Sequence, residues 1–391
     1  ILRQGKFIRI LATFLYWLPL VLILVLFIVS AIKPVMFWDA GIRTYMFGIV
    51  FITYASKLFA VLFLFLADII RLLGYVYRYA TQKKKRTPEY EGAKITRSKF
   101  LVNMGLISGG AVFSGFLAGM LKWVYDFKLR YVDLRLSKLP DRFNGLKIIQ
   151  ISDLHLGSWA SADPLKNVVN IINDENPDLV FFTGDLVNFA TREAFDFEST
   201  LKDIHAKYGV YAILGNHDYG DYVNWSSAAE KQENLEEMYS LYRRLGWKLL
   251  LNENDILDID GQKLAIIGVE NWGAHERFPK YGDLEKAIYG TGDIPLKILL
   301  SHDPSHWENV IRRKYPEIAL TLSGHTHGFQ FGIETSNFKW SPAQYMYKQW
   351  AGLYQNNDQE QYVYVNRGTG FIGYPGRIGI LPEITEITLK S

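Results

Sequence analysis

The 391-residue chain contains no cysteine. A disulfide framework is therefore impossible, and so is any metal site held by thiolates. A dominant charge is also missing: 43 Lys and Arg stand against 40 Asp and Glu, a formal net charge of +3. That balance gives no polyanion-binding field, so nucleic acid is not an expected partner. Disorder is excluded as a general description by 49% hydrophobic and 15% aromatic residues, enough for one large core and something besides. No repeat at a solenoid period is found. The first residue is Ile1 rather than Met, so the N-terminus is expected to be processed, truncated or preceded by more chain.

Apolar length is what the first third does have. From Phe7 to Ile32 the chain is nearly all apolar, long enough to cross a hydrocarbon layer as a helix. A second stretch, Tyr45 to Tyr77, is interrupted by Lys57 and Asp68; no turn signal divides it, so one crossing is preferred to a helical pair. A third, Phe100 to Leu121, is rich in Gly, Ala and Ser, residues that suit close helix contacts in a bilayer. Residues 1–125 are thus expected to form an all-helical membrane region with about three spans, and the lipid bilayer is the first expected partner. Arg78, Lys83, Lys84, Lys85, Arg86, Lys94, Arg97 and Lys99 concentrate between the second and third stretches, and Arg3, Lys6 and Arg9 precede the first. Basic loops stay in the cytoplasm, so three crossings of the cytoplasmic (inner) membrane would place everything after residue 125 on its outer face. The RSKF start at Arg97 also resembles a twin-arginine type export signal lacking one arginine.

Beyond residue 130 short β-branched runs take over: LKIIQIS, DLVFFTG, GVYAILG, KLAIIGVE, KILLSHD, IALTLSG, YVYVNRG and EITEITL. Helical patterns fit between them, as at Pro164 to Asn173 and Ala228 to Leu245. Alternation of this kind predicts an α/β layered domain over 126–391. Five strand ends carry polar chemistry: Asp153-Leu154-His155, Gly184-Asp185-Leu186-Val187-Asn188, Gly215-Asn216-His217-Asp218, Ser301-His302-Asp303 and Gly324-His325-Thr326-His327-Gly328. Any one of these residues alone reads as a turn former or a satisfied core group. Five of the eight histidines sit at these junctions, however, and His325 and His327 alternate so as to face one side of an extended segment. Imidazoles and carboxylates without thiolates suit Mn, Fe, Zn or Mg.

DLH, GDLVN, GNHD, SHD and GHTH, in this order, resemble the five blocks of the calcineurin-like metallophosphoesterases, over roughly residues 130–391. QISDLHLG, LLSHDP, VNRGTG and EITEITL are similar to the subgroup of membrane-associated and exported bacterial enzymes, some of which cleave the pyrophosphate of a UDP-linked lipid precursor (UDP-diacylglucosamine pyrophosphohydrolases). The resemblance implies a two-sheet sandwich flanked by helices, holding two divalent metal ions, Mn in the first place with Fe, Zn or Mg as alternatives. It implies that Asp153, His155 and His327 bind one metal, that Asn216, His302 and His325 bind the other, and that Asp185 bridges them. His217 would contact the scissile phosphate and protonate the leaving oxygen. Asn188 stands where many relatives have an aspartate turned towards that histidine, and an amide supplies a hydrogen bond without charge.

The implied activity is hydrolysis of a phosphate ester or pyrophosphate, with a lipid-linked substrate favoured by the membrane region. Alternatives are a phosphodiesterase or nucleotidase acting on soluble substrates, and a non-catalytic scaffold of a membrane assembly; protein partners are unspecified. Phe329, after GHTHG, where glycine is common, is read as a bulkier apolar wall beside the second metal, standing equally between substrate selection and packing. Arg367 and Arg377 stand equally between phosphate contact and local salt bridge, and His205, His275 and His306 are read as structural or surface residues. The aromatic run Phe338, Trp340, Tyr345, Tyr347, Trp350 and Tyr354 is read as packing, with a membrane-interface role as the alternative.

Overall fold

A computed structural model describes residues 5–33, 38–81, 97–356 and 360–391. Arg3, Lys83, Lys84, Lys85, Arg86 and Lys94 of the basic segments lie outside the described residues. The chain divides into two compact units: Ile1–Trp38 with Tyr45–Met120, and Asp39–Thr44 with Leu121–Ser391.

The first unit is built from α1 (Lys6–Ile32), α2 (Ala40–Thr81) and α3 (Arg97–Leu121). All three are long and apolar enough to cross a membrane. The second runs unbroken for 42 residues, so Lys57 and Asp68 interrupt its composition but not its helix. Lys57 Nζ donates to the Tyr16 carbonyl (3.0 Å) and lies over the Tyr16 ring, while Asp68 pairs with Arg71 one turn on (2.7 Å). The small residues of α3 do what their size permits. A Cβ at Gly105 would come within 3.1 Å of the Ala60 carbonyl, and one at Gly109 within 3.2 Å of the Ser56 carbonyl, so the two backbones approach closely there.

The second unit is a two-sheet sandwich. In chain order its strands are β1 (Lys128–Arg135), β2 (Lys147–Ile151), β3 (Leu179–Phe182), β4 (Val210–Ala212), β5 (Lys248–Leu249), β6 (Glu253–Ile259) and β7 (Gln262–Gly268). There follow β8 (Leu296–Leu300), β9 (Leu320–Ser323), the hairpin β10 (Ile333–Glu334) and β11 (Lys339–Trp340), then β12 (Gly352–Asn356), β13 (Gln361–Val365) and β14 (Glu383–Lys390). One sheet has the order β1-β14-β2-β3-β4-β5 and the other β12-β13-β9-β8-β7-β6. The central strands β2, β3, β4 and β5 run parallel, as do β7, β8, β9 and β13. Strand β14 runs parallel to β1 but antiparallel to β2.

Period-two alternation explains the layering. Ile148, Phe181, Ile298, Leu320 and Ile387 point between the sheets. Their neighbours Ile149 and Phe182 point outward, under Leu165 and Val168 of α4 (Asp163–Asp174) and Met238 and Leu241 of a later helix (Ala228–Leu245). On the other outer face Ile267, Leu299 and Val363 pack with Trp307 and Ile311. Strands buried on both faces read as continuous apolar runs, which is the pattern seen in the sequence. Parallel strands connected by crossovers leave their C-terminal ends on one edge, and that edge carries the chemistry.

Candidate metal centre

The segments leaving β2, β3, β4, β8 and β9 converge at that edge. Asp153, His155 and His327 form one group of potential ligands, and Asp185, His302 and His325 another; within each group the ligand atoms all lie within 4.8 Å of one another. In the first, His327 Nε2 is 3.2 Å from Asp153 Oδ1 and 3.0 Å from His155 Nε2. In the second, His302 Nε2 is 3.1 Å from Asp185 Oδ2 and 3.3 Å from His325 Nδ1. The same Asp185 oxygen lies 3.6 Å from His155 Nε2, so one carboxylate touches both groups.

The backbone is bent to achieve this. Asp153, His155, Asp185, His325 and His327 all have φ between 47° and 70°. Non-glycine residues rarely adopt that region, and a concentration of them marks a site that the surrounding fold forces into shape. Asp218 supplies part of the force. Its buried carboxylate accepts hydrogen bonds from the backbone N–H groups of Asp185, Leu186, Val187 and Gly215 (2.8–3.2 Å), binding the two loops after β3 and β4 into one piece. Burial pushes its pKa up, to about 7, and Asp185 adds to this while the N–H groups oppose it. Glycine is required at Gly324, where any Cβ would collide with the Ser152 and Asp153 side chains. The freed space lets the His325 N–H donate to Asp153 (3.0 Å).

His302 and His325 are each held by the ring nitrogen remote from the facing imidazole or carboxylate. His302 Nδ1 donates to the Thr183 carbonyl (2.7 Å), leaving Nε2 to face Asp185. His325 Nε2 meets the Tyr347 hydroxyl at 2.8 Å, with Asp303 Oδ2 at 3.6 Å. Burial pushes His155 well below its usual range and lowers His325 too, which keeps both neutral. Burial also acts to lower His302, but Asp185 more than reverses it and raises the ring to about 10. Asp185 is in turn held well below the carboxylate range against the opposing effect of burial, by His302 and His217.

These groups fit two divalent cations. Two facing imidazole Nε2 atoms at 3.0 Å require a proton or a cation between them. Asn216 donates its amide N–H to the Tyr222 hydroxyl (2.8 Å) and leaves its buried Oδ1 with no hydrogen-bond partner, an oxygen free to face a cation. The donors are nitrogen and oxygen only, as borderline and hard divalent ions prefer.

His217 stands beside the ligands, its ring edge-on to His155 with centroids 5.0 Å apart, and partly open to solvent. Its Nδ1 bonds to the carbonyl of Asn188 (2.8 Å). A carbonyl only accepts, so Nδ1 carries the hydrogen and Nε2 is the nitrogen available to the site. The sequence reading put the Asn188 amide in that contact; in the structure the amide turns away to donate to Ser158 Oγ (2.8 Å), and the main chain replaces it. Glu193 fixes this loop by accepting from the N–H groups of Asn188 and Phe189 (2.7 and 3.0 Å).

The profile of the calcineurin-like phosphoesterases matches residues 146–329, and that of the transmembrane domain of probable calcineurin-like phosphoesterases matches residues 2–123. The uncharacterized metallophosphoesterase YkuE of Bacillus subtilis is 30% identical over 305 residues, 76% of this chain and 99% of its own length. The chain is a calcineurin-like metallophosphoesterase. It carries that fold behind a membrane domain. The transmembrane protein with metallophosphoesterase domain of Danio rerio is 31% identical over 70% of this metallophosphoesterase, which spans only 60% of that relative. The UDP-2,3-diacylglucosamine pyrophosphatase LpxG of Chlamydia trachomatis is 28% identical over 65% of this chain and 88% of its own.

Within the metallophosphoesterase the lesser residues find their places. Arg367 is buried in ion pairs with Glu383 and Glu334, the latter at 2.6 Å. Arg377 is fully buried and donates to the carbonyls of Arg367, Gly368 and Gly370, its pKa lowered by burial to about 9. Both guanidinium groups are thus occupied by protein. His306 is buried against Trp272 and bonds Ser301; burial lowers it to about 3. Asp218, Asp303 and Tyr347 were not distinguished by sequence. The first two lie inside recognised blocks, but Tyr347 lies in the aromatic run, where nothing marks one ring from the next.

Proposed function

We propose that the chain hydrolyses a phosphate ester or pyrophosphate with two divalent metal ions, Mn in the first place. The observation that carries this reading is Asp185, whose carboxylate reaches both groups of ligands. Asp153, His155 and His327 would hold one ion and Asn216, His302 and His325 the other, with Asp185 between; two dications so close need a shared anion. Bound there, the ions would supply positive charge to the phosphoryl oxygens and lower the pKa of a water molecule. His217, its Nδ1 hydrogen committed to Asn188, presents Nε2 to hold a proton and deliver it to the departing oxygen. Asn188 thus acts through its carbonyl in positioning that ring. Metal-dependent turnover of an aryl phosphodiester by the purified protein is the expected result; metal-loaded protein that turns over neither monoester, diester nor pyrophosphate would favour the scaffold reading.

A lipid-linked pyrophosphate is the substrate we favour. The name of the chlamydial relative supports it, as does a membrane domain that concentrates the enzyme near lipids. A screen of lipid-linked against soluble pyrophosphates tests it, and preference for the soluble set would point to a nucleotidase. The catalytic unit, taken as residues 126–391, is proposed to lie on the outer face of the inner membrane after three crossings. Alkaline phosphatase fused after Lys128 should be active and the same reporter within residues 83–94 inactive; the opposite pattern reverses the topology.

A further inference from the structure

A band of large apolar side chains lies exposed on the catalytic unit just after the last metal-ligand block. Phe329, Ile333, Phe338, Tyr345 and Met346 are 54–76% accessible, in a domain whose other large apolar residues are mostly buried. They belong together. Ile333 pairs directly with Trp340 across the β10–β11 hairpin, Phe338 stands at the hairpin's end, and Trp340 Nε1 reaches the Tyr345 hydroxyl (3.4 Å). The remaining aromatics of this run are committed elsewhere: Trp350 is buried with Ala343, Ala351 and Ile380, Tyr347 bonds to His325, and the Tyr354 hydroxyl accepts from Lys339 and the Trp350 backbone N–H. An exposed cluster of this size marks a surface with an apolar partner.

We propose that this band rests in the interfacial layer of the bilayer that the chain's own helices span. The chain's connectivity supports that occupant. Glu334 on the hairpin accepts from Arg130 (2.7 Å), and Arg130 lies nine residues beyond Leu121, where α3 ends. Fully extended, nine residues reach about 30 Å. Arg130 is therefore tethered within that reach of the end of a membrane-spanning helix, and the hairpin that bears the band is bonded to it. Tyrosine and tryptophan, with an apolar body and a polar edge, are the residues favoured at the headgroup level. The band also flanks the ligands, because Tyr347, one residue past Met346, bonds to His325. Contact there would present the metal centre to the membrane surface and to groups at headgroup depth.

Because the chain has no cysteine, one introduced thiol can be labelled uniquely. Full-length Phe338→Cys and Tyr345→Cys, each carrying a nitroxide, are reconstituted into phosphatidylethanolamine/phosphatidylglycerol vesicles. Tyr289→Cys, exposed elsewhere in the catalytic unit, is the aqueous reference. Unchanged thermal midpoints establish that the variants fold, and two independent positions guard against loss of one. The ratio of oxygen to nickel-chelate accessibility should be several-fold higher at 338 and 345 than at 289. Ratios equal to the reference at both positions overturn the proposal. So do ratios equal to the reference accompanied by spin–spin broadening, which would assign the band to a second copy of the chain.

Discussion

Glu383→Gln probes whether the late arginine serves the substrate or the fold. Glu383 is fully buried, and its carboxylate meets Arg367, the Tyr364 hydroxyl (2.6 Å) and the Thr385 hydroxyl (2.6 Å). Removing one partner of a buried pair leaves an uncompensated charge, which costs about 3–5 kcal/mol. Here Glu334 remains for Arg367, so the lower end, about 3 kcal/mol, is expected. For a domain of this size that lowers the melting temperature by about 6–12 °C. Near-ultraviolet circular dichroism of the detergent-solubilised full chain reads it. The pH dependence carries a sign as well. Burial raises the Glu383 pKa, but Arg367, Arg130 and the hydroxyls outweigh it and hold the group below the carboxylate range. Its contribution is therefore present above the ordinary carboxylate pKa of about 4.3 and is lost as the pH falls through the lower folded value. The variant should show a flatter acid limb than the parent. A shift under about 2 °C, with the acid limb unchanged, would refute the assignment of Arg367 to a buried structural pair.

Asp185→Asn should fold yet lose most bound metal and activity; two tightly held ions per chain, by elemental analysis, would remove Asp185 from the bridge. His217→Asn should depress turnover of substrates with poor leaving groups far more than of those with good ones, and equal losses with metals retained would make the ring a positioning group. Gly324→Ala drives a methyl group into Ser152 and Asp153 and should cost about 1–3 kcal/mol while lifting metal affinity off the Asp153 group first, measured by titration of the metal-free protein.

The eight runs picked out in the sequence are all strands; most are apolar because their strands are buried on both faces, while β14 also buries Glu383, Thr385 and Glu386 and was legible from its β-branched residues. Strand β1 escaped notice for the complementary reason. Its residues alternate with Lys128, Arg130, Asp133 and Arg135 on an edge that is largely exposed, and its partner lies more than two hundred residues away. Strand β5 has only two residues and no pattern to read. The candidate ligand residues stand out because they sit in short blocks at strand ends. The groups that aim them were not: nothing local distinguishes Asp218 as the anchor of two loops, Tyr347 as the partner of His325, or the Asn188 carbonyl as the contact of His217. Main-chain acceptors have no residue-type signature, so a contact of that kind is legible only once the fold is known.

Strand β14 lies between β1 and β2, although some 230 residues of chain separate it from β2. During synthesis the first sheet cannot close until Glu383–Lys390 has left the ribosome, and before then β1 has no neighbour to pair with. Strands β2 to β5 and the whole second sheet can pair without β14, so completing the first sheet's edge is a late, long-range event joining the two ends of the domain.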